Sequence, residues 1–287
     1  LSITCPFFCE NGIDSIYILQ SKGSIPVASF NQIIYGLVFL IYYIYIETNW
    51  CCISLPVNIC TYREENREEY RRGAQRAMKD EIQFTNDDSV AIIAPHPDDE
   101  CIGAAGVLIK IPNQTDVYVV TDGCYGNKNR SAKEEARLRR EWFEEEMSIV
   151  KPRNWFWLGI EDTKVSDNPD FATQIDFTRY TKVFLPWGKS LHPDHRATYE
   201  SCLSQIKKQN ANKAEYYMYE VCAPFRNPRY YIDITDVLDK KLELIRCHRE
   251  MDYEIKQITL LNQFRASQLH KTIGIKCIEA YDKVEIL

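Results

Sequence analysis

Two short segments concentrate the chemistry of this sequence. Pro95-His96-Pro97-Asp98-Asp99-Glu100 puts one imidazole and three carboxylates into a single turn, directly after the apolar run Val90 to Ala94. So much negative charge against an apolar strand is costly unless a cation neutralises it. Capping of the following helix by Asp98 or Asp99 would use one acid and leave the others unexplained. A histidine followed three residues later by a carboxylate, on a turn stiffened by Pro95 and Pro97, can aim a ring nitrogen and an oxygen at one ion. His96 and Asp99 are therefore candidate zinc ligands. The second segment, His192-Pro193-Asp194-His195, holds two more of the five histidines. A catalytic zinc keeps three protein ligands and an open position, and His195 completes that count.

Hydrolysis by metal-activated water also needs a base, and a group that steadies the oxyanion and protonates the leaving amine. Asp98 and His192 are the residues left over for these roles. Asp98 suits the base and His192 the acid and oxyanion partner, with Asp194 expected to keep His192 protonated because a nearby carboxylate raises an imidazole pKa. His248 and His270 read as surface bystanders. Two histidines and one carboxylate accept zinc or ferrous iron, with availability deciding as much as affinity.

The two segments meet only if the fold brings both to one place. From residue 89 onward, short apolar runs alternate with amphipathic stretches, the pattern of an α/β domain with a mostly parallel sheet. Strands are expected at Val90 to Ala94, Asp116 to Thr121, Trp155 to Leu158, Lys182 to Pro186, Tyr216 to Val221 and Tyr230 to Ile234. Helices are expected at Cys101 to Ile111, Ala132 to Val150, Phe171 to Thr181, Asp194 to Lys207, Asp236 to Glu250 and Glu254 to His270. Both segments then follow strands, at the carboxyl edge where open α/β sheets bind ligands.

The chain has 287 residues, 45% hydrophobic, which allows one large domain or a domain with an appendage. A formal net charge of -6 argues against nucleic acid and for a small neutral or polar substrate. The eleven cysteines are unevenly spaced and form no CxxC, so those beyond the first sixty residues read as reduced, buried hydrophobes. Residues 1–60 form an apolar Cys/Tyr-rich head, in which 25–46 could contact a membrane, as an anchor or an interfacial segment; a buried segment and a non-native head are the alternatives. Residues 61–88 read as a charged linker, helical from Arg63 to Glu81, leading to a domain at 89–287. The expected location is cytoplasmic, with membrane tethering through the head as the variant.

The His96 to Glu100 box (HPDDE) and the His192 to His195 box (HPDH) resemble the signatures of the LmbE/PIG-L family of zinc-dependent de-N-acetylases, in order and placement, from about Val90 onward. The resemblance implies a Rossmann-like three-layer sandwich with the metal site at the carboxyl ends of the strands. It implies zinc on His96, Asp99 and His195, Asp98 as base, His192 as electrostatic catalyst, and an N-acetylglucosamine-type conjugate as substrate. Thr121-Asp122-Gly123 and Gly159-Ile160-Glu161-Asp162 resemble further family positions, and Asp162 would contact sugar hydroxyls. The family's helical arginine would be Arg140 or Arg137, and Ser190 stands where some members carry a tyrosine. Three other readings compete: an amidase on a non-sugar amide, a metal-stabilised glycan-binding module, and a nucleotide-dependent oxidoreductase. The last lacks a G-x-G-x-x-G after any strand. A purely structural metal would not need Asp98 and His192.

Overall fold

The computed structural model describes Met78 and residues 80–221, 223–269 and 274–286. The head, most of the linker and His270 lie outside the described residues. Eight strands form one sheet among these residues: β1 (Asp80–Glu81), β2 (Val90–Ala94), β3 (Thr115–Thr121), β4 (Asn154–Ile160), β5 (Lys182–Pro186), β6 (Glu215–Tyr219), β7 (Tyr230–Asp233) and β8 (Ile278–Lys283). Their order is β1-β7-β8-β6-β5-β2-β3-β4. Only β8 runs antiparallel to both its neighbours, and every other pairing is parallel.

The period-two alternation of the strands divides the core into two layers. In β2, Val90, Ile92 and Ala94 face one cluster while Ala91 and Ile93 face the other. The first cluster is covered by α1 (Asp99–Gly103), α2 (Ala105–Lys110), α3 (Ala132–Val150), α5 (Leu238–Cys247) and α6 (Asp252–Ser267); the second lies under α4 (Pro193–Lys208) and the 3-10 turns at 165–179. The architecture is the three-layer α/β sandwich that the sequence implies. The chain leaves β2 for β3 on one side and returns through β5 on the other. The reversal of strand order at β2 opens a crevice at the carboxyl ends.

Several elements depart from expectation. The stretch 171–181 is not an α-helix but two 3-10 turns, Pro169–Gln174 and Phe177–Arg179, because the Asp176 side chain caps Thr178 N–H and starts a new turn. The helix expected from Cys101 breaks at Ala104 into α1 and α2. Asp80 and Glu81, placed at the end of a linker helix, pair as a strand with Tyr230 and Tyr231, and Ile82 joins the core. The folded body therefore begins before residue 89. The five described cysteines are free and buried. No helix among the described residues is long and apolar enough to cross a membrane.

Buried charge ties the layers together. Lys241 of α5, with no exposed surface, donates to Glu279 Oε1 of β8 and to the Ile102 carbonyl, both at 2.7 Å. Glu279 Oε2 accepts from Gly106 N–H and Tyr281 O–H. Lys241→Met leaves this carboxylate without its cation and is expected to lower the unfolding free energy by about 3–5 kcal/mol in urea melts. Asp88 joins the start of β2 to β5 through Lys182 and Thr181. Its pKa falls from 3.8 to about 2: burial opposes the shift, and hydrogen bonds from Lys182, Thr181 and Thr85 outweigh it. A carboxyl depressed on folding stabilises the protein above its unfolded pKa, and that stabilisation is lost as the pH falls through the folded one. Asp88→Asn is expected to reduce stability at neutral pH but not below about pH 2, which denaturant titrations across the acid range measure.

Candidate active site

The two histidine segments meet in the crevice beside β2. The first is anchored by Thr121, whose N–H and Oγ1 both donate to the Pro95 carbonyl at 2.9 and 2.8 Å. The second is the start of α4, where Pro193 occupies the first turn and His192 is the N-cap. His96 Nδ1 lies 3.2 Å from Asp99 Oδ2 and 3.3 Å from His195 Nε2. His195 Nε2 in turn lies 3.3 Å from Asp99 Oδ2. Ligand atoms at the usual zinc distance, on a tetrahedron, stand about 3.3 Å apart. The three donors thus have the spacing that a zinc-sized ion requires.

The far nitrogen of His96 faces a second set of oxygens. Nε2 is 3.2 Å from Asp162 Oδ1 and 3.4 Å from Asp194 Oδ2. A metal-bound imidazole commonly gives its other ring N–H to a carboxylate, which fixes its orientation. Asp162 and Asp194 are placed for that role, and each is itself pinned: Tyr125 N–H donates to Asp162 Oδ2, Thr163 N–H to Asp194 Oδ2. Asp162 N–H donates to Asp122 Oδ1. On the other histidine, Ser190 Oγ approaches His195 Nδ1 at 3.4 Å.

The electrostatics follow from this crowding. Burial disfavours a charged His96, yet Asp162, Asp194 and Asp99 raise its pKa well above the usual histidine value. Burial would raise Asp99 and Asp162, but the imidazoles win: His195 and His96 hold Asp99 below the carboxylate range, and His96 brings Asp162 to about 2.

Two expectations need correction. Asp162 stands in the site as expected: its Oδ2 accepts from Tyr125 N–H, while its Oδ1 faces His96 at 3.2 Å without a hydrogen-bond partner. Asp194 addresses His96 and Thr163, not His192; the His192 pKa is lowered, by burial first and then by His96 and His195. Neutral His192 accepts the Asp194 backbone N–H on Nδ1 at 3.3 Å, which leaves Nε2 as its donor. Arg140 is exposed and pairs with Glu144, and Arg137 pairs with Glu141, both away from the site.

The arginine that reaches the site is Arg139, whose Nη1 donates to Asp98 Oδ2 at 2.7 Å and whose Nε donates to buried Glu135. A side chain at Gly126 would strike its guanidinium, with an added Cβ only 2.3 Å from Nη2. The helical phase explains the choice. Arg139 lies three and four residues before Trp142 and Phe143 on the buried stripe of α3, whereas Arg137 and Arg140 lie off it. That stripe of large apolar residues is readable in the sequence. Ser190, flagged only as a departure from the family, is the other contributor missed. His248, read as a surface residue, is buried, with 1% of its surface exposed.

A mostly parallel sheet places these donors at its switch point, where α/β enzymes bind their ligands. Residues 91–206 match the family model described as PIG-L: GlcNAc-PI de-N-acetylase. Over this stretch the chain is similar to the PIG-L (LmbE) family. It is 26% identical over 204 residues, 58% of its own length and 70% of the relative's, to the diacetylchitobiose deacetylase of Thermococcus kodakarensis. Its fold resembles that of N,N'-diacetylchitobiose deacetylase from Pyrococcus horikoshii, with a TM-score of 0.57, 22% identity, and coverage of 81% of this chain and 94% of that one. It also resembles GalB, the 4-carboxy-2-hydroxymuconate hydratase of Pseudomonas putida, with a TM-score of 0.56, 16% identity, and coverage of 69% and 96%.

Removing a partner that orients a ligand should weaken a metal site without abolishing it. Asp162→Asn and Ser190→Ala are each expected to reduce zinc affinity about 10–100-fold in competition with a chromophoric chelator. A loss as complete as that in His195→Ala would make Asp162 a ligand instead.

Proposed function

We propose that this chain hydrolyses the amide of an N-acetylated sugar conjugate, giving acetate and an amino sugar, with zinc held by His96, Asp99 and His195. The observation that carries the reading is the triangle of donors 3.2–3.3 Å apart at the carboxyl edge of the sheet. Two imidazoles and a carboxylate suit zinc, with ferrous iron as the second choice. When bound, such an ion supplies a Lewis acid that polarises a carbonyl and acidifies water.

The chain's own groups supply the rest. Asp98 takes a proton from water as the water oxygen adds to the amide carbon, then hands that proton to the nitrogen as the C–N bond breaks. Arg139 holds Asp98 Oδ2 and so fixes the direction of the carboxylate. His192, with Nδ1 engaged by a backbone N–H, directs Nε2–H toward the oxygen that gains charge. Tyr125 and Leu191, 51% and 70% exposed, adjoin Cys124 and His192 in the chain and offer apolar surface for a sugar ring. Support for the sugar comes from the family model and from the two relatives named for diacetylchitobiose.

Acetate release from a panel of N-acetylglucosamine conjugates, measured alongside metal content, tests the assignment. Asp98→Ala is expected to keep the metal and lose turnover about 10²–10⁴-fold, whereas His195→Ala loses the metal itself. Equal metal loss in both variants would overturn the division of roles. Bound metal without acetate from any conjugate would move the substrate to another amide, or the protein to glycan binding.

A further inference from the structure

A second group of potential ligands stands behind the first. Glu100, Cys101, Glu146 and His248 each bring one donor atom to within 4.8 Å of the others. Glu100, Cys101 and Glu146 expose no surface and His248 only 1%. His248 Nε2 is 2.7 Å from Glu146 Oε2, but 4.0 Å from Glu100 Oε1. Glu100 Oε1, Glu146 Oε1 and His248 Nδ1 have no hydrogen-bond partner. Orphaned polar atoms are rare in protein interiors, and two neighbouring carboxylates there are costly unless a proton or a cation neutralises them. None of these four residues has a role in the hydrolysis proposed above.

We propose that Glu100, Cys101, Glu146 and His248 form a second, structural site for a zinc-type divalent cation. The 4.0 Å between Glu100 Oε1 and His248 Nε2 is too long for a hydrogen bond. An ion at about 2.0–2.1 Å from each would bridge it. Four protein ligands make a closed site, and a thiol with an imidazole favours zinc over magnesium or calcium. Cys101 Sγ now donates to the Asp98 carbonyl at 3.1 Å. On binding, the S–H bond breaks, its proton passes to solvent and a sulfur–metal bond forms. The ion would cross-link α1, α3 and the end of α5, the elements that carry Glu100, Glu146 and His248.

Metal stoichiometry and cobalt spectroscopy on the full chain test the site. The zinc-loaded protein is expected to hold about two equivalents per chain, with the buried one resisting a brief chelator wash. Cobalt-loaded protein should show intense near-ultraviolet thiolate-to-cobalt absorption, retained in His195→Ala and lost in Cys101→Ser, a nearly isosteric change that spares the fold. A single equivalent that disappears in His195→Ala, with no thiolate absorption, would overturn this inference and leave the deacetylase reading standing. Thiolate absorption in a protein that releases no acetate would support this site and count against that reading alone.

Discussion

The imidazole of His96 has carboxylates facing both of its nitrogens, and the arrangement around it follows from that constraint. Nδ1 faces Asp99 and His195, while Nε2 faces Asp162 and Asp194. Asp99 is local, three residues on, but the other three partners are distant in sequence: Asp162 follows β4, and Asp194 and His195 open α4. A ring with one free nitrogen could rotate or change tautomer. With carboxylates facing both sides, the placement of the ring follows from the backbone positions of β2, β4 and α4.

Holding those loops still requires the sheet to do more than place them. Thr121 fastens the turn after β2 to the end of β3, and Asp122 receives Asp162 N–H, which ties the end of β3 to the loop after β4. Lys241 and Glu279, both fully buried, hold α5 and β8 to the α1–α2 break. A buried ion pair is weak evidence for stability, but once present neither partner can be removed without stranding the other. The hydrogen-bonded links thus run without a gap from β8 to the turn that bears His96.

How much of this was legible depended on whether the signal was local. The HPDDE and HPDH turns, the strands Val90–Ala94 and Lys182–Pro186 and the helix Ala132–Val150 were readable because residue type, apolar period and flanking breaks agree within each segment. β8 escaped notice because Ile278–Lys283 contains Glu279, Asp282 and Lys283, and it becomes a strand only by pairing with β6 and β7. The two-residue β1 carries no period at all. Asp162 was placed in the site, but its proximity to His96 was not legible, since nothing in the sequence shows that His96 would turn its far nitrogen toward it. The GalB likeness makes the complementary point that one fold accommodates a hydratase as well as deacetylases, so the chemistry must be argued from the side chains.

Adjacent acids with different tasks need a backbone that separates them, and Asp98 provides it. Its φ of 132° lies where L-residues rarely go, a conformation that costs on the order of 1–3 kcal/mol. Thr163, β-branched and at φ 69°, is a second such residue, and it is the one whose N–H holds Asp194. Both strained residues flank His96. At Asp98 the twist sends the carboxylate to Arg139 while Asp99, one residue later, begins α1 and faces the histidines. An ordinary helical start would place successive side chains about 100° apart around one axis, which gives no comparable freedom to aim two neighbouring carboxylates at separate partners. Arg139 offsets the strain by its ion pair, and Gly126 leaves room for the guanidinium to reach it. The separation of the Asp98 and Asp99 carboxylates is therefore built into the backbone of the turn, and the buried face of α3 keeps it there.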